Sequence, residues 1–227
     1  AEDSAPRARE ALTDAIFEQY QPQKLRIPGA KPHPGALVQS AAMAAVEPPT
    51  PTYTPNLPRA VVTGGLLSLA QLEAVVYAGQ AHGLHLPNGE RRGFFIGDGT
   101  GVGKGREISG IVLDNLRQGR RRAVWVSEKP GLFADAKRDF GGIGGDTSLL
   151  TLQSKIKKAA AIEIDSGVLF TTYATLRQGG DAKTSDKAPA KAKTRMDAVG
   201  GPRLEQIVTW LGADFDGVIV FDEAHNA

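Results

Sequence analysis

Eight consecutive residues, Asp98-Gly99-Thr100-Gly101-Val102-Gly103-Lys104-Gly105, constrain this chain more than anything else in it. Glycine at every second position removes the segment from any regular helix or strand. The apolar run Gly93-Phe94-Phe95-Ile96-Gly97 precedes it and reads as a short buried strand. A stretch with Ile108, Ile111, Val112 and Leu116 on one helical face follows it, up to Gly119. The order strand, glycine loop, helix lets successive backbone N–H groups and the positive helix end converge on phosphate oxygens, with Lys104 reaching the terminal phosphates. The general phosphate-loop pattern is G-x-x-x-x-G-K-[ST]. Here Asp98 stands at the first glycine, and Gly105 stands where a hydroxyl would ligate magnesium. Taken alone, the loop has a second reading as a glycine-rich turn with an incidental lysine.

A second motif weighs against that reading. Val218-Ile219-Val220-Phe221 is an apolar strand that delivers Asp222, Glu223, Ala224 and His225 to its C-terminal end. Ligands bind at that edge of an open parallel sheet, so Asp222 can hold a hydrated magnesium ion and Glu223 can polarise an attacking water. His225 lies where it could relay the state of the nucleotide to neighbouring loops. An acid pair after a strand is unremarkable by itself; following a strand, glycine loop and lysine, it points to a nucleoside triphosphate core.

The rest of the chain supplies the frame for such a core. Ser68 and Gln71 form a capping box that opens a helix to about His82, with Leu69, Leu72, Val75 and Val76 recurring at helical spacing. Strands are expected at Ala123 to Ser127, Leu149 to Leu152, Gly167 to Thr172 and Gly217 to Phe221, and helices at Leu132 to Phe140 and Leu204 to Leu211. This alternation predicts an α/β fold with a mostly parallel sheet covered by helices. Before it, residues 1–59 hold most of the prolines and read as an extended arm, with short helices at Ala8 to Phe17 and Ala36 to Val46. Residues 60–227 are then the nucleotide domain, interrupted near 178–202 by a polar, lysine-rich insertion. Trp125 and Trp210 are expected in the core, and the scattered histidines form no metal set.

Composition excludes several classes. The absence of cysteine removes thiolate nucleophiles, cysteine zinc sites and disulfides. No apolar run reaches the roughly 20 residues of a membrane span, so no membrane partner and a cytoplasmic location are expected. With 27 Lys+Arg against 25 Asp+Glu, bulk charge does not advertise a nucleic-acid binder. The chain opens on Ala1 and closes just after an apolar strand, so it reads as a piece of a longer protein.

The loop and the Asp-Glu-Ala-His run resemble motifs I and II of the superfamily 2 helicases, and the fuller run from Gly93 to Arg106 is similar to the strawberry notch family, including its bacterial members. In that family glycine and arginine after the lysine are the usual pattern. Also matching are Pro28 to Pro34, Gln71-Leu72-Glu73 with Tyr77 to Gln80, Ala123 to Ser127, and Val168 to Leu176. The resemblance implies the first RecA-like domain of an ATP-dependent helicase or translocase, using ATP and magnesium, with Gly99 to Arg106 on the nucleotide. It also implies a second RecA-like domain in the parent chain, whose arginine fingers this piece lacks, so the piece alone is expected to hydrolyse ATP negligibly. A nucleotide-responsive scaffold in transcriptional regulation is the alternative, with the proline arm receiving protein partners.

Several residues keep two readings. Gln71 resembles a glutamine that reads adenine in related helicases, and it is also the third residue of a capping box. Arg106 could contact phosphate or sit solvated at a helix start. Ser127 to Lys129 and Thr171, Thr172 and Tyr173 follow strands at the ligand edge and could grip the backbone of DNA or RNA; each also reads as an ordinary loop residue.

Overall fold

The computed structural model describes residues 16–158, 160–177 and 202–226. The chain divides after Ile111 into two compact units.

In the first unit, β1 (Phe17–Gln19) and β2 (Val38–Ser40) pair antiparallel, with Phe17 opposite Ser40 and Gln19 opposite Val38. The expected helix from Ala8 to Phe17 falls mostly outside the described residues, and its last residue begins β1 instead. The helix expected at Ala36 to Val46 shrinks to α1 (Ala41–Ala44). The Ser40 hydroxyl accepts from the Met43 amide, which fixes the helix start there, while Val38 and Gln39 are already committed to the ladder. After α2 (Arg59–Thr63), helix α3 (Leu69–His82) starts where the sequence places it, with both bonds of the capping box formed.

The proline segment lies along α3. Tyr77 donates to the Pro49 carbonyl at 2.9 Å, and the Gln80 amide exchanges bonds with Thr52 and Thr50. A proline-rich segment lacks the N–H donors of a helical ladder, so its remaining backbone groups take partners on the helix side chains. Close approach is possible because α3 carries Gly79, where a Cβ would stand 2.1 Å from the Tyr53 ring.

The run Gly93 to Gly97 is not a strand. Phe95 is 82% exposed, and the segment has no ladder partner among the described residues. A strand exists only where a neighbour accepts its hydrogen bonds, and apolar side chains alone do not supply one.

Helix α4 (Lys104–Arg117) begins in the first unit and ends in the second. Its Gly110 lets it meet the preceding segments closely, since a Cβ there would lie 2.7 Å from Val75 and 2.9 Å from Leu67, both buried.

The second unit holds β3 (Arg122–Ser127), α5 (Leu132–Gly142), β4 (Leu150–Leu152), β5 (Gly167–Thr172), α6 (Tyr173–Arg177), α7 (Pro202–Leu211) and β6 (Val218–Phe221). The strands form one parallel sheet in the order β4-β5-β3-β6. Val124, Val126 and Leu169 pack on one face with Tyr173, Ile207 and Trp210. On α5, Phe133 reaches the Phe170 ring, 5.4 Å between centroids, and Trp125 lies 6.1 Å from the same ring. Both tryptophans are core, as the sequence implies. The α/β fold with a helix-covered parallel sheet is therefore present.

Two differences stand out. Helix α6 opens at Tyr173, which the sequence suggests as a loop residue, because the Thr172 hydroxyl caps it by accepting from the Thr175 amide at 3.1 Å. Helix α7 starts at Pro202, a residue suited to a first helical position, two residues before the expected start. The insertion near 178–202 lies outside the described residues apart from Pro202. Among the described residues, no helix is long and apolar enough to cross a membrane.

Gly110 yields a test with an informative sign. An exposed helix glycine replaced by alanine gains up to about 1 kcal/mol. Gly110→Ala should instead destabilise by about 1 to 3 kcal/mol through overpacking against Val75 and Leu67, read as a lowered urea midpoint.

Candidate functional site

The phosphate-loop candidate is built on two backbone choices and one side chain. Gly101 and Gly103 adopt φ of +98° and +88°, a region that penalises any residue with a Cβ. Between them, the Val102 carbonyl accepts from Gln71 Nε2 at 2.9 Å. Gln71 Oε1 in turn accepts from the Ser68 amide at 3.0 Å, and the Gln71 amide donates to the Ser68 hydroxyl at 3.3 Å. The capping box thus extends beyond α3 and holds the loop. A Cβ on Gly103 would stand 2.6 Å from Gln71 Nε2, so the brace also demands glycine there.

Lys104 opens α4, and its ammonium donates to the carbonyls of Asp98 and Gly99 at 3.0 and 3.5 Å. Gly99, Thr100 and Gly101 are exposed, while Val102, Gly103 and Gly105 are half-buried. Arg106 turns away from the loop: its guanidinium donates to the Leu66 carbonyl at 2.9 Å. This orientation favours neither of its two readings, phosphate contact or solvated helix start.

Sequence reasoning did not single out Glu107. Its spacing from Lys104 and Ile111 was a usable signal, since i+3 and i+4 put an acid on the buried stripe of α4. The side chain is fully buried, and neither carboxylate oxygen has a hydrogen-bond partner. Burial, followed by the negative charge of Asp98, pushes its carboxyl up to about 8, against the opposing pull of Lys104. Glu73 is also buried, and burial and Asp98 raise its carboxyl, against the hydrogen bond it receives from the Tyr20 hydroxyl.

The acid pair lies in the second unit. Parallel pairing of β6 with β3 sets Val126 beside Phe221, and the Asp222 amide donates to the Val126 carbonyl at 2.8 Å. Asp222 Oδ2 accepts from the Ser127 hydroxyl at 3.0 Å, and the Asp222 carbonyl accepts from the Tyr173 hydroxyl at 2.9 Å. Burial and then the charges of Asp222 and Glu223 raise the Tyr173 hydroxyl. Glu223 has φ of +52°, and among the described residues it alone adopts a positive φ without being glycine. Backbone strain of that kind concentrates where a side chain must be aimed. His225 Nδ1 lies 3.5 Å from Glu223 Oε2.

These positions correct the expectation that hydroxyls after β3 and β5 face a nucleic acid. Ser127, Thr171, Thr172 and Tyr173 are all buried. Their hydroxyls serve, respectively, Asp222, Gln153, the α6 cap and Asp222. Of that set only Lys129 is exposed, paired with Glu128 at 3.1 Å. The loop lies in the first unit and the acid pair in the second.

Residues 32–227 match the protein family described as P-loop containing NTP hydrolase pore-1. The chain is 40% identical to protein strawberry notch homolog 1 of Gallus gallus over 220 residues, covering 93% of this chain and 16% of that protein. It is 39% identical over 215 residues to protein FORGETTER 1 of Arabidopsis thaliana, covering 93% of this chain and 15% of that one. For protein strawberry notch of Drosophila melanogaster the identity is 39% over 216 residues, with 93% and 12% covered. The chain thus spans less than a fifth of the length of these curated relatives. No solved structure matches it.

Glu107 gives the loop a pH signature. Its folded value is about 8 against an ordinary value near 4.3, so the folded state retains a proton that the unfolded chain releases. Stability should therefore fall as pH rises from about 4.5 to about 8 and change no further through this group above that. Glu107→Gln, which cannot ionise, should match the wild type near pH 4 and melt at a higher temperature near pH 9. Circular-dichroism melts with parallel pH curves for the two proteins would exclude this assignment.

Proposed function

Since the chain belongs to the P-loop containing NTP hydrolase pore-1 family and is similar to strawberry notch proteins over nearly its whole length, we propose that it is the ATP-binding part of an ATP-dependent helicase or nucleic-acid translocase. One observation carries the reading: Lys104 stands at the head of a 14-residue helix, and its ammonium is held by loop carbonyls that phosphate oxygens would replace. In this role Lys104 takes the β and γ phosphates, and the amides of Gly101 to Lys104 line the same anion at the positive helix end. Gly99 and Thr100 complete the loop, and Gly105 and Arg106 follow in the first turn of α4.

The donors around Asp222 suit magnesium. Among the described residues, no three His, Asp or Glu side chains converge as a protein-only cage would require. Magnesium takes one or two carboxylates and fills its remaining positions with water and phosphate, so one carboxylate with an oxygen fixed by Ser127 fits. When bound, the ion neutralises the developing phosphate charge. Asp222 carries the ion through water, and Glu223 accepts a proton from the attacking water. His225, beside Glu223, couples the state of that carboxylate to the chain beyond.

The parent protein supplies the second RecA-like domain, whose arginine finger is worth about 10³ to 10⁵ in rate in related hydrolases. Its nucleic-acid partner, DNA or RNA, meets exposed groups such as Lys129.

In the full-length protein, Lys104→Ala should abolish nucleotide binding by titration calorimetry. Glu223→Gln should retain binding and lower turnover by at least about 100-fold, as for loss of a general base. ATP hydrolysis with and without single-stranded and duplex DNA and RNA decides the rest. Strong stimulation supports the motor, and unstimulated hydrolysis with intact binding supports a nucleotide-responsive scaffold.

A further inference from the structure

Ser127, Thr171, Thr172 and Tyr173 are buried, so a strand at this edge of the second unit's sheet is met by other groups. The connection from β4 to β5 carries them. β4 ends at Leu152, beside Phe170 of the parallel β5, so residues 153–158 emerge at the carboxyl edge that also carries Asp222. Lys155, Lys157 and Lys158 are exposed there, and none of them forms an ion pair among the described residues. Ile156 is extended, with φ of −92° and ψ of 135°, and packs inward on the core cluster that includes Val124 and Ile207. Its neighbours Lys155 and Lys157 therefore leave the backbone on the outer side.

Helix α7 fixes this shape through a buried cation. Arg203, 6% exposed, donates to the carbonyls of Gln153 and Ile156 at 3.2 and 2.8 Å. Its Nε has no hydrogen-bond partner, and no carboxylate pairs with it among the described residues. Gln206 Nε2, one turn on, donates to the carbonyls of Lys157 and Ala160. A buried guanidinium held only by dipoles is destabilising by itself, and such groups are kept where they specify a conformation. Here that conformation turns four carbonyls inward and three lysines outward. The acids of the same connection, Glu163 and Asp165, lead into the start of β5 at the opposite edge of the sheet, so its positive charge is confined to the carboxyl edge.

Among the described residues of 150–177, no large apolar side chain is exposed, which leaves this surface without the anchors that a membrane or a peptide groove needs. Lysines are compact, hydrated point charges, suited to phosphates and indifferent to base sequence. Resting on the reading of the parent protein as a nucleic-acid motor, we propose that the loop after β4 grips the phosphate backbone of the DNA or RNA strand through Lys155, Lys157 and Lys158. Because α7 sets the loop before any strand arrives, little backbone freedom is lost on binding.

The test uses the full-length protein and two probes, fluorescent oligomers of deoxythymidine and of uridine, with affinities by anisotropy over a range of salt concentrations. Three phosphate contacts contribute about 2 to the slope of log K against log salt for a single strand. The triple variant Lys155→Ala, Lys157→Ala, Lys158→Ala should therefore bind both oligomers more weakly, with a slope shallower by about 2. Replacing the same three residues by arginine keeps the charge and should keep the wild-type slope. A slope unchanged in the alanine variant would overturn the proposal. So would an arginine variant that loses binding as fully as the alanine one, since charge would then not be the cause. Loss of affinity for an acidic glutamate peptide with strand binding intact would assign the surface to a protein partner and overturn it as well. A wild type that binds neither oligomer would instead sink the motor reading on which the proposal rests.

Discussion

The bond from Gln71 to the Val102 carbonyl is the constraint on which the phosphate loop depends. A loop with alternating glycines has many accessible conformations, and ordering each residue costs about 1 to 2 kcal/mol of backbone entropy. One buried amide, itself fixed by Ser68, selects a single arrangement from that set. The glycines supply the permitted torsions at 101 and 103, and the brace determines which of them is used. The carbonyl between the two left-handed residues faces α3, which leaves the opposite side of the loop for an anion. A helix cap thus sets the geometry of a binding loop about 30 residues away in sequence.

The acid pair is fixed by different means. Its anchor is the ladder: once Val126 and Phe221 are partners, Asp222 must follow at the sheet edge, where Ser127 and Tyr173 already stand. Both residues were candidates for gripping a strand from outside. Their hydroxyls are turned inward to orient Asp222, so the sheet edge is held by groups that do not themselves face outward. Glu223 is the exception to local comfort: a left-handed glutamate costs of order 1 kcal/mol, and the surrounding bonds to Asp222 hold the backbone there.

Elements with their own pattern were legible in the sequence. The capping box of α3, the apolar stripe of α4 and the buried runs of β3 and β5 declare themselves through local periodicity, and each appears where expected. What could not be read depends on partners distant in sequence. Phe94 to Ile96 has strand composition and no ladder. Val38 to Ser40 has a helical neighbourhood and pairs with Phe17 to Gln19 instead. At the site, Lys104 and the acid pair could be named from spacing, whereas the inward turn of Ser127 and the commitment of Gln71 could not. A side chain's residue type is visible in sequence; which of several possible partners it takes is not.

The buried acids of the first unit bear on how a polyanion can be held there. Glu73 and Glu107 are both buried, and both are influenced by Asp98, which occupies the first position of the loop. Three ionised carboxylates beside a triphosphate would oppose its binding through a low-dielectric region, where screening is weak. Burial and the charge of Asp98 ease that conflict by shifting both acids toward their protonated forms, Glu107 up to about 8 and Glu73 in the same direction against the hydrogen bond from Tyr20. An approaching triphosphate adds more negative potential and favours those protons further. The charge of Asp98 at the head of the loop and the protons on the acids behind it are thus coupled: the aspartate raises both carboxyls, and each proton they keep lowers the negative potential beside the loop.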